Sequence, residues 1–153
     1  MRRNNYNFSF DHLKEVKGST VIPVLFYEAK KFVQSHKWCR KAVTGWYDEK
    51  VSLLDKLGVF LFEIEPINAD VDTYVWIIVG DLPSVYLVAS IKTGEEALET
   101  YCELMEEWAN NVLKGCSLDE CYPVEAEPTT ENAELLKSRT VFIRKEILLL
   151  PGD

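Results

Sequence analysis

The residues whose types and spacing could do chemistry are carboxylates in one segment. Glutamates recur every three or four residues through a predicted helix, and two acids follow in the next loop. At helical spacing such glutamates share one flank, where each like-charged pair costs roughly 0.2–0.5 kcal/mol. A flank with no lysine between its acids is suited to binding a cationic partner. The predicted partner-binding set is Glu95, Glu99, Glu103, Glu106, Glu107, Asp119 and Glu120.

Two other interpretations of this acidic flank remain open. The first third of the chain is basic, and its cations could lie alongside the glutamates as internal counterions. They include Lys30, Lys31, Lys37, Arg40 and Lys41. The glutamates could also form an ordinary solvated helix face, as most charge runs do.

A second candidate site is an aromatic and acidic cluster after Gly45. Trp46, Tyr47 and Asp48 follow one another, and Asp81 stands at the end of a predicted strand. Large aromatic side chains beside a carboxylate resemble a binding anchor, so these four residues could line a ligand cleft. Alternatively, the aromatic rings cover an open edge of the core, and Asp81 caps a turn.

The sequence lacks the motifs of common catalytic and metal sites. Its two histidines, His12 and His36, stand beside no nucleophile motif. The four cysteines include no Cys-x-x-Cys pair, which a zinc site would use. The glycines form no phosphate-binding loop. We therefore predict no catalytic residue, no metal and no cofactor, and we favour a binding protein over an enzyme.

The charge distribution narrows the choice of partner. The net charge is −8, from 17 basic and 25 acidic residues, and residues 93–134 hold 12 acids and one base. Such a field repels nucleic acid and anionic membranes and favours a basic protein. Without a signal peptide or a membrane-spanning run, and with few cysteines, the chain is expected to be cytoplasmic. A homodimer remains open.

The elements that would position these residues begin with a polar arm, residues 1–18. A first helix should start at Ser19 or Thr20, either of which could cap it. It should fade between Trp38 and Gly45. The segment from Gly45 to Leu57 is ambiguous and could form a loop followed by a helical turn.

Three apolar runs then predict strands. They cover residues 59–65, 73–79 and 85–90, and they are rich in β-branched and aromatic side chains. Their connections are too short for a parallel crossover, so neighbouring strands should be antiparallel.

Two helices follow the strands. Thr93 and Glu96 form a capping box at the start of the second helix, and Gly115 should end it. The third helix should start near Thr129 or Thr130. The order α-β-β-β-α-α predicts one α+β domain, 1–153, in two layers. A meander sheet of three or four antiparallel strands carries helices packed on one face.

A longer pattern also runs through the chain. It includes Trp38-Cys39, Gly45-Trp46, GVFLFEIEP, WIIVGDLPSVYLV, YCELMEEW and SLDECYPVEAEPTTENAELLKSR. This pattern, across residues 30–147, resembles a family of short bacterial proteins of unassigned function, and the resemblance implies no site residues. In size and charge the chain is also similar to immunity proteins. That likeness implies a non-enzymatic acidic protein that neutralises a basic toxin domain.

Overall fold

The computed structural model describes residues 8, 10–16, 23–53, 56–88 and 90–149. The chain divides into two compact units, Met1–Ala97 and Leu98–Asp153. The first unit contains a sheet and a helix, and the second is helical in its regular elements. The fold is therefore α+β, as the sequence predicts.

An open antiparallel sheet of five strands forms the centre of the first unit. The strands lie in chain order, each hydrogen-bonded to the next. They are β1 Leu13–Glu15, β2 Cys39–Asp48, β3 Leu57–Pro66, β4 Tyr74–Gly80 and β5 Val85–Leu87. The antiparallel arrangement is confirmed, but the predicted count of three or four strands is too low.

The two strands that the sequence analysis missed are β1 and β2. β1 lies inside the expected arm, and β2 occupies the segment predicted as fading helix and loop. Register shifts between Cys39 and Lys41 and between Ala42 and Thr44 interrupt the pairing of β2 with β3. Each irregularity breaks the two-residue alternation that marks a strand in sequence. The observed order is therefore β-α-β-β-β-β-α-α rather than α-β-β-β-α-α.

The first helix, α1 Phe26–Gln34, is shorter than predicted. Its expected caps, Ser19 and Thr20, lie outside the described residues. The helix follows Pro23, whose carbonyl accepts the Phe26 N–H at 3.0 Å. On one face of the sheet α1 contributes Ala29 and Val33 to a core cluster with the side chains of β3 and β4.

The opposite face of the sheet is covered by other parts of the first unit. The ring of Phe8 packs edge-on against Tyr74, with centroids 5.1 Å apart. The indole N–H of Trp76, on the same face, donates to the Ile91 carbonyl at 2.8 Å. This bond ties the Trp76 side chain to the residues that follow β5.

The second unit contains most of α2, Gly94–Lys114, and all of α3, Thr130–Phe142, which continues into a π-helical turn, Ile143–Ile147. The side-chain cap predicted for Thr93 is confirmed, and Thr129 caps α3. Thr93 Oγ1 accepts the Glu96 N–H at 3.1 Å, just before the second unit begins. Thr129 Oγ1 accepts the Asn132 N–H at 3.2 Å. The predicted starts of both helices are therefore correct.

Candidate functional site

The acidic flank of α2 consists of Glu95, Glu99, Glu103, Glu106 and Glu107. Residues three and four apart share one side of a helix, so these side chains follow one another along α2. All are exposed except Glu106, which is half-buried. The structure therefore confirms that the glutamates lie on a helix, at its surface.

Two members of the flank have counterions within the chain. Lys50 of the first unit forms an ion pair with Glu95, and that hydrogen bond raises the pKa of Lys50. In the second unit, Arg144 donates to both carboxylate oxygens of Glu106, at 2.9 and 3.0 Å. The hydrogen bond to Glu106 raises the pKa of Arg144. The chain itself therefore supplies the counterions of these two carboxylates.

The other three glutamates of the flank form what we call the open acidic surface: Glu99, Glu103 and Glu107. All three are exposed. None of them makes an ion pair with another residue of the described ranges. The second unit holds 12 acidic and 5 basic residues, a net charge of −7. The field around this surface therefore attracts cations.

The loop after α2, residues 115–129, carries the rest of the predicted set. Asp119 and Glu120 are exposed near its start. Asn111 of α2 holds the loop in place, because its Nδ2 donates to the Ser117 carbonyl at 3.1 Å. The Sγ of Cys121 lies 3.9 Å from Glu107 Oε1. The loop acids thus belong to the same unit as the open acidic surface, and Cys121, which follows them, lies beside its last glutamate.

The second candidate set does not assemble into one cleft. Trp46 and Asp48 are buried on one face of the sheet, whereas Tyr47 points to the other face, as alternation along β2 requires. Asp81 is exposed in the turn after β4, and its N–H donates to the Lys56 carbonyl at 2.9 Å. A cleft shared by these four side chains is therefore not formed.

Asp48 serves the turn that follows β2. Its Oδ1 accepts the N–H groups of Lys50 and Val51, at 2.9 and 3.3 Å. The residue is only 4% exposed, and burial raises the pKa of its carboxyl. Its carboxylate packs against Gly94, where a Cβ atom would collide with it. Asp48 thereby joins the end of β2 to the start of α2.

A concave site lies near Tyr47, with a volume of about 230 Å³. Two of its polar side chains, Glu49 and Ser52, already have partners. Glu49 forms an ion pair with Lys14 at 3.0 Å, and Ser52 Oγ accepts the Val59 N–H at 3.0 Å. The remaining walls are mainly apolar: Pro23, Leu25, Leu57, Gly58 and Phe60. The site suits a small apolar molecule better than an acid–base reaction.

An aromatic cluster around His36 was missed by the sequence analysis. The ring centroids of Phe32, Trp38 and Tyr86 lie 4.8, 4.8 and 4.9 Å from that of His36. The His36 Nδ1 is 2.8 Å from the Phe32 carbonyl oxygen. The four-residue spacing of Phe32 and His36 could have indicated half of this cluster. Tyr86 joins it only through the sheet register.

The described parts of the chain contain no group of side chains suited to a metal ion and no helix suited to crossing a membrane. No group of three or more His, Cys, Asp or Glu side chains there could hold a metal ion. None of the described helices combines the length and apolar character that crossing a bilayer requires.

Comparisons of the chain with protein-family models, curated proteins and solved structures find no match.

Proposed function

We propose that this chain is a non-enzymatic binding protein that engages a basic protein through its second unit. One observation supports this most strongly: Glu99, Glu103 and Glu107 are exposed, and none of them forms an ion pair with a described residue. Repulsion among glutamates at this spacing is unfavourable in the isolated chain. A cationic partner would relieve it.

The geometry of the open acidic surface suits a row of cationic side chains. Glu99, Glu103 and Glu107 are four residues apart, so about 6 Å of helix rise separates each from the next. Lysines or arginines at similar spacing on a partner could each meet one carboxylate. Charges at the rim of an interface mainly accelerate encounter and are screened by salt. Binding should therefore be faster at low ionic strength.

A toxin nuclease domain is a partner of the appropriate chemistry, and this chain would then be an immunity-type protein. A nuclease must attract the phosphate backbone with lysines and arginines. An acidic surface on an inhibitor can occupy those same cations. The likeness in size and charge to immunity proteins, and the wider resemblance to short bacterial proteins, are compatible with this role. A cytoplasmic location belongs to the same proposal, since free thiols suit a reducing compartment.

Affinity capture with the full chain tests the proposal. The immobilised protein is exposed to an extract of its source cells at low salt, washed, and then eluted with high salt. We expect one protein with an excess of lysine and arginine to be retained and then released by salt. If only acidic or neutral proteins are retained, or if the retained protein resists high salt, the proposal fails.

The pocket beside Tyr47 supports a second candidate, a site for a small ligand, with or without catalysis. Its volume of about 230 Å³ lies below the usual range for ligand sites, roughly 300–1,000 Å³. A screen of small apolar compounds by thermal shift, with Leu57→Trp as a variant that fills the pocket, tests this candidate. Compounds that stabilise the native protein but not the variant would support it, and a screen without any such compound would reject it.

A further inference from the structure

We infer that Cys116 and Cys121 form an intramolecular disulfide when the protein meets a low-molecular-weight disulfide. This would make the 115–129 loop a site of oxidative modification. The inference rests on the accessibility of these two thiols and on how Asn111 holds the chain around them. The chemistry itself does not depend on the proposed partner.

The four cysteines differ sharply in accessibility. Cys39 and Cys102 are buried, whereas Cys116 is exposed and Cys121 is partly exposed. Thiol–disulfide exchange requires a thiolate that can reach the attacking position. Burial also raises the pKa of Cys102 to about 12, which keeps that thiol protonated at neutral pH. The chain therefore offers one accessible pair, five residues apart, in the same loop.

One residue, Asn111, holds both ends of this segment, through its backbone at Cys116 and through its side chain at Cys121. The Asn111 carbonyl accepts the Cys116 N–H at 2.9 Å, and Asn111 Nδ2 donates to Cys121 Sγ at 3.2 Å. Between them the chain reverses direction, because the Cys121 N–H donates to the Leu118 carbonyl at 3.1 Å. Both cysteines are thereby kept beside Asn111. This raises the effective concentration of one thiol at the other.

The exchange proceeds in two balanced steps. The more exposed thiol, Cys116, loses its proton to solvent and attacks one sulfur of the small disulfide. A mixed disulfide forms, and one small thiolate leaves and takes up a proton. Cys121 then loses its proton and attacks the Cys116 sulfur, expelling the second small thiol. Two protein thiols and one small disulfide thus become one protein disulfide and two small thiols.

The Cys116–Cys121 disulfide would restrict the loop that carries two of the proposed partner-binding acids. Asp119 and Glu120 lie between the two cysteines, so the disulfide would enclose both acids in a short ring. Fixing the loop lowers the conformational entropy that a partner would otherwise have to remove. In this respect alone, the inference depends on the partner-binding role of these residues.

Mass spectrometry of the native full-length protein incubated with oxidised glutathione tests the inference. We expect the intact mass to fall by two hydrogen atoms, and peptide mapping to locate the bond between Cys116 and Cys121. Cys121→Ser should stop at the mixed disulfide and gain the mass of one glutathione less two hydrogen atoms. Cys39→Ala is the control and should form the Cys116–Cys121 disulfide as the native chain does. A lasting mixed disulfide on the native protein, or a bond to another cysteine, would overturn the inference.

Asn111→Ala tests whether the Asn111 side chain keeps the two cysteines close together. Without its side chain the loop loses the bonds to Ser117 and Cys121. The rate of closure of the Cys116–Cys121 disulfide, relative to the rate of mixed-disulfide formation, should then fall by roughly tenfold. This is expected when the effective concentration of one thiol at the other is lower. Equal closure in this variant would show that Asn111 does not organise the pair. None of these readouts involves a binding partner, so they can fail or succeed independently of the proposed function.

Discussion

Arg144 and Glu106 form a two-point ion pair, with Arg144 Nη2 2.9 Å from Glu106 Oε1 and Arg144 Nε 3.0 Å from Oε2. The pair links the π-helical turn after α3 to the middle of α2. It also removes one carboxylate from the acidic flank. The carboxylates left for a partner are therefore a subset of those that the sequence indicates.

Replacing Arg144 should measure how much this pair stabilises the second unit. Both side chains are partly buried, 26% and 29% exposed, and the two-point geometry is the stronger kind. We expect Arg144→Gln to lower the free energy of unfolding by about 1 kcal/mol in urea denaturation. Glu106→Gln should have a similar effect. The double variant should lose less than the sum of the two, and strict additivity would show that the pair contributes nothing.

Because Gly94 lies against the Asp48 carboxylate, we expect that position 94 does not tolerate a side chain. A Cβ at Gly94 would collide with the Asp48 carboxylate, so Gly94→Ala should destabilise the protein by about 2 kcal/mol. Asp48→Ala in the same chain should recover part of that loss. Gly115→Ala is a contrasting control, because a Cβ there has nothing within 4 Å and only the positive φ of 69° opposes it. It should cost about 1 kcal/mol. Equal losses at the two glycines would contradict the contact.

The buried carboxyl of Asp48 predicts a specific pH dependence. Burial raises its folded-state pKa above the ordinary value of 3.8. Between those two pKa values the folded state binds more protons than the unfolded state, so stability falls as the pH rises. Asp48→Asn keeps an oxygen acceptor but does not titrate. The free energy of unfolding of the variant, minus that of the native protein, should therefore rise as the pH increases from 3.8. A flat difference across that range, measured in urea, would contradict the burial effect.

The cysteines predict a two-stage reaction with a thiol reagent. Cys116 and Cys121 are accessible, while Cys39 and Cys102 are buried. With Ellman's reagent, the folded and reduced protein should release two equivalents of the coloured thiolate rapidly. The buried pair should react at the rate of unfolding, and all four should react at once in denaturant. Rapid reaction of all four thiols in the native protein would show that the buried pair is exposed by fluctuation.

The sequence predicts the strands and helices of this fold where the hydrophobic pattern is regular. β3 and β4 are continuous apolar runs, and α2 has its capping box and its apolar stripe. β2 was missed because two register shifts break its alternation, and its GWYD segment resembles a loop. β1 has only the residues LKE, and its strand conformation comes from pairing with β2.

The sequence predicts which glutamates make up the candidate site, but not which of them form ion pairs within the chain. The spacing of the glutamates indicates one helix flank, and the structure confirms their position on α2. Glu95 and Glu106 pair with Lys50 and Arg144, which are 45 and 38 residues away along the chain. Such distant contacts leave no local signal. The opposite orientations of Tyr47 and its neighbours, Trp46 and Asp48, can likewise be deduced only once β2 is known to be a strand.

Neutralising the open acidic surface tests the central claim most directly. The test variant is Glu99→Gln, Glu103→Gln and Glu107→Gln together. The matched control removes three other exposed carboxylates from the same unit, Glu125→Gln, Glu131→Gln and Glu134→Gln. Both triple variants have the same net charge, so a difference between them reports position rather than total charge.

The measurement is the dissociation constant of each variant for the captured basic protein at low salt. If each carboxylate contributes about 0.5 kcal/mol, the test variant should bind roughly tenfold more weakly than the native chain. The control variant should bind nearly as well as the native chain. Equal affinity of the two triple variants would contradict the claim that Glu99, Glu103 and Glu107 form the binding surface.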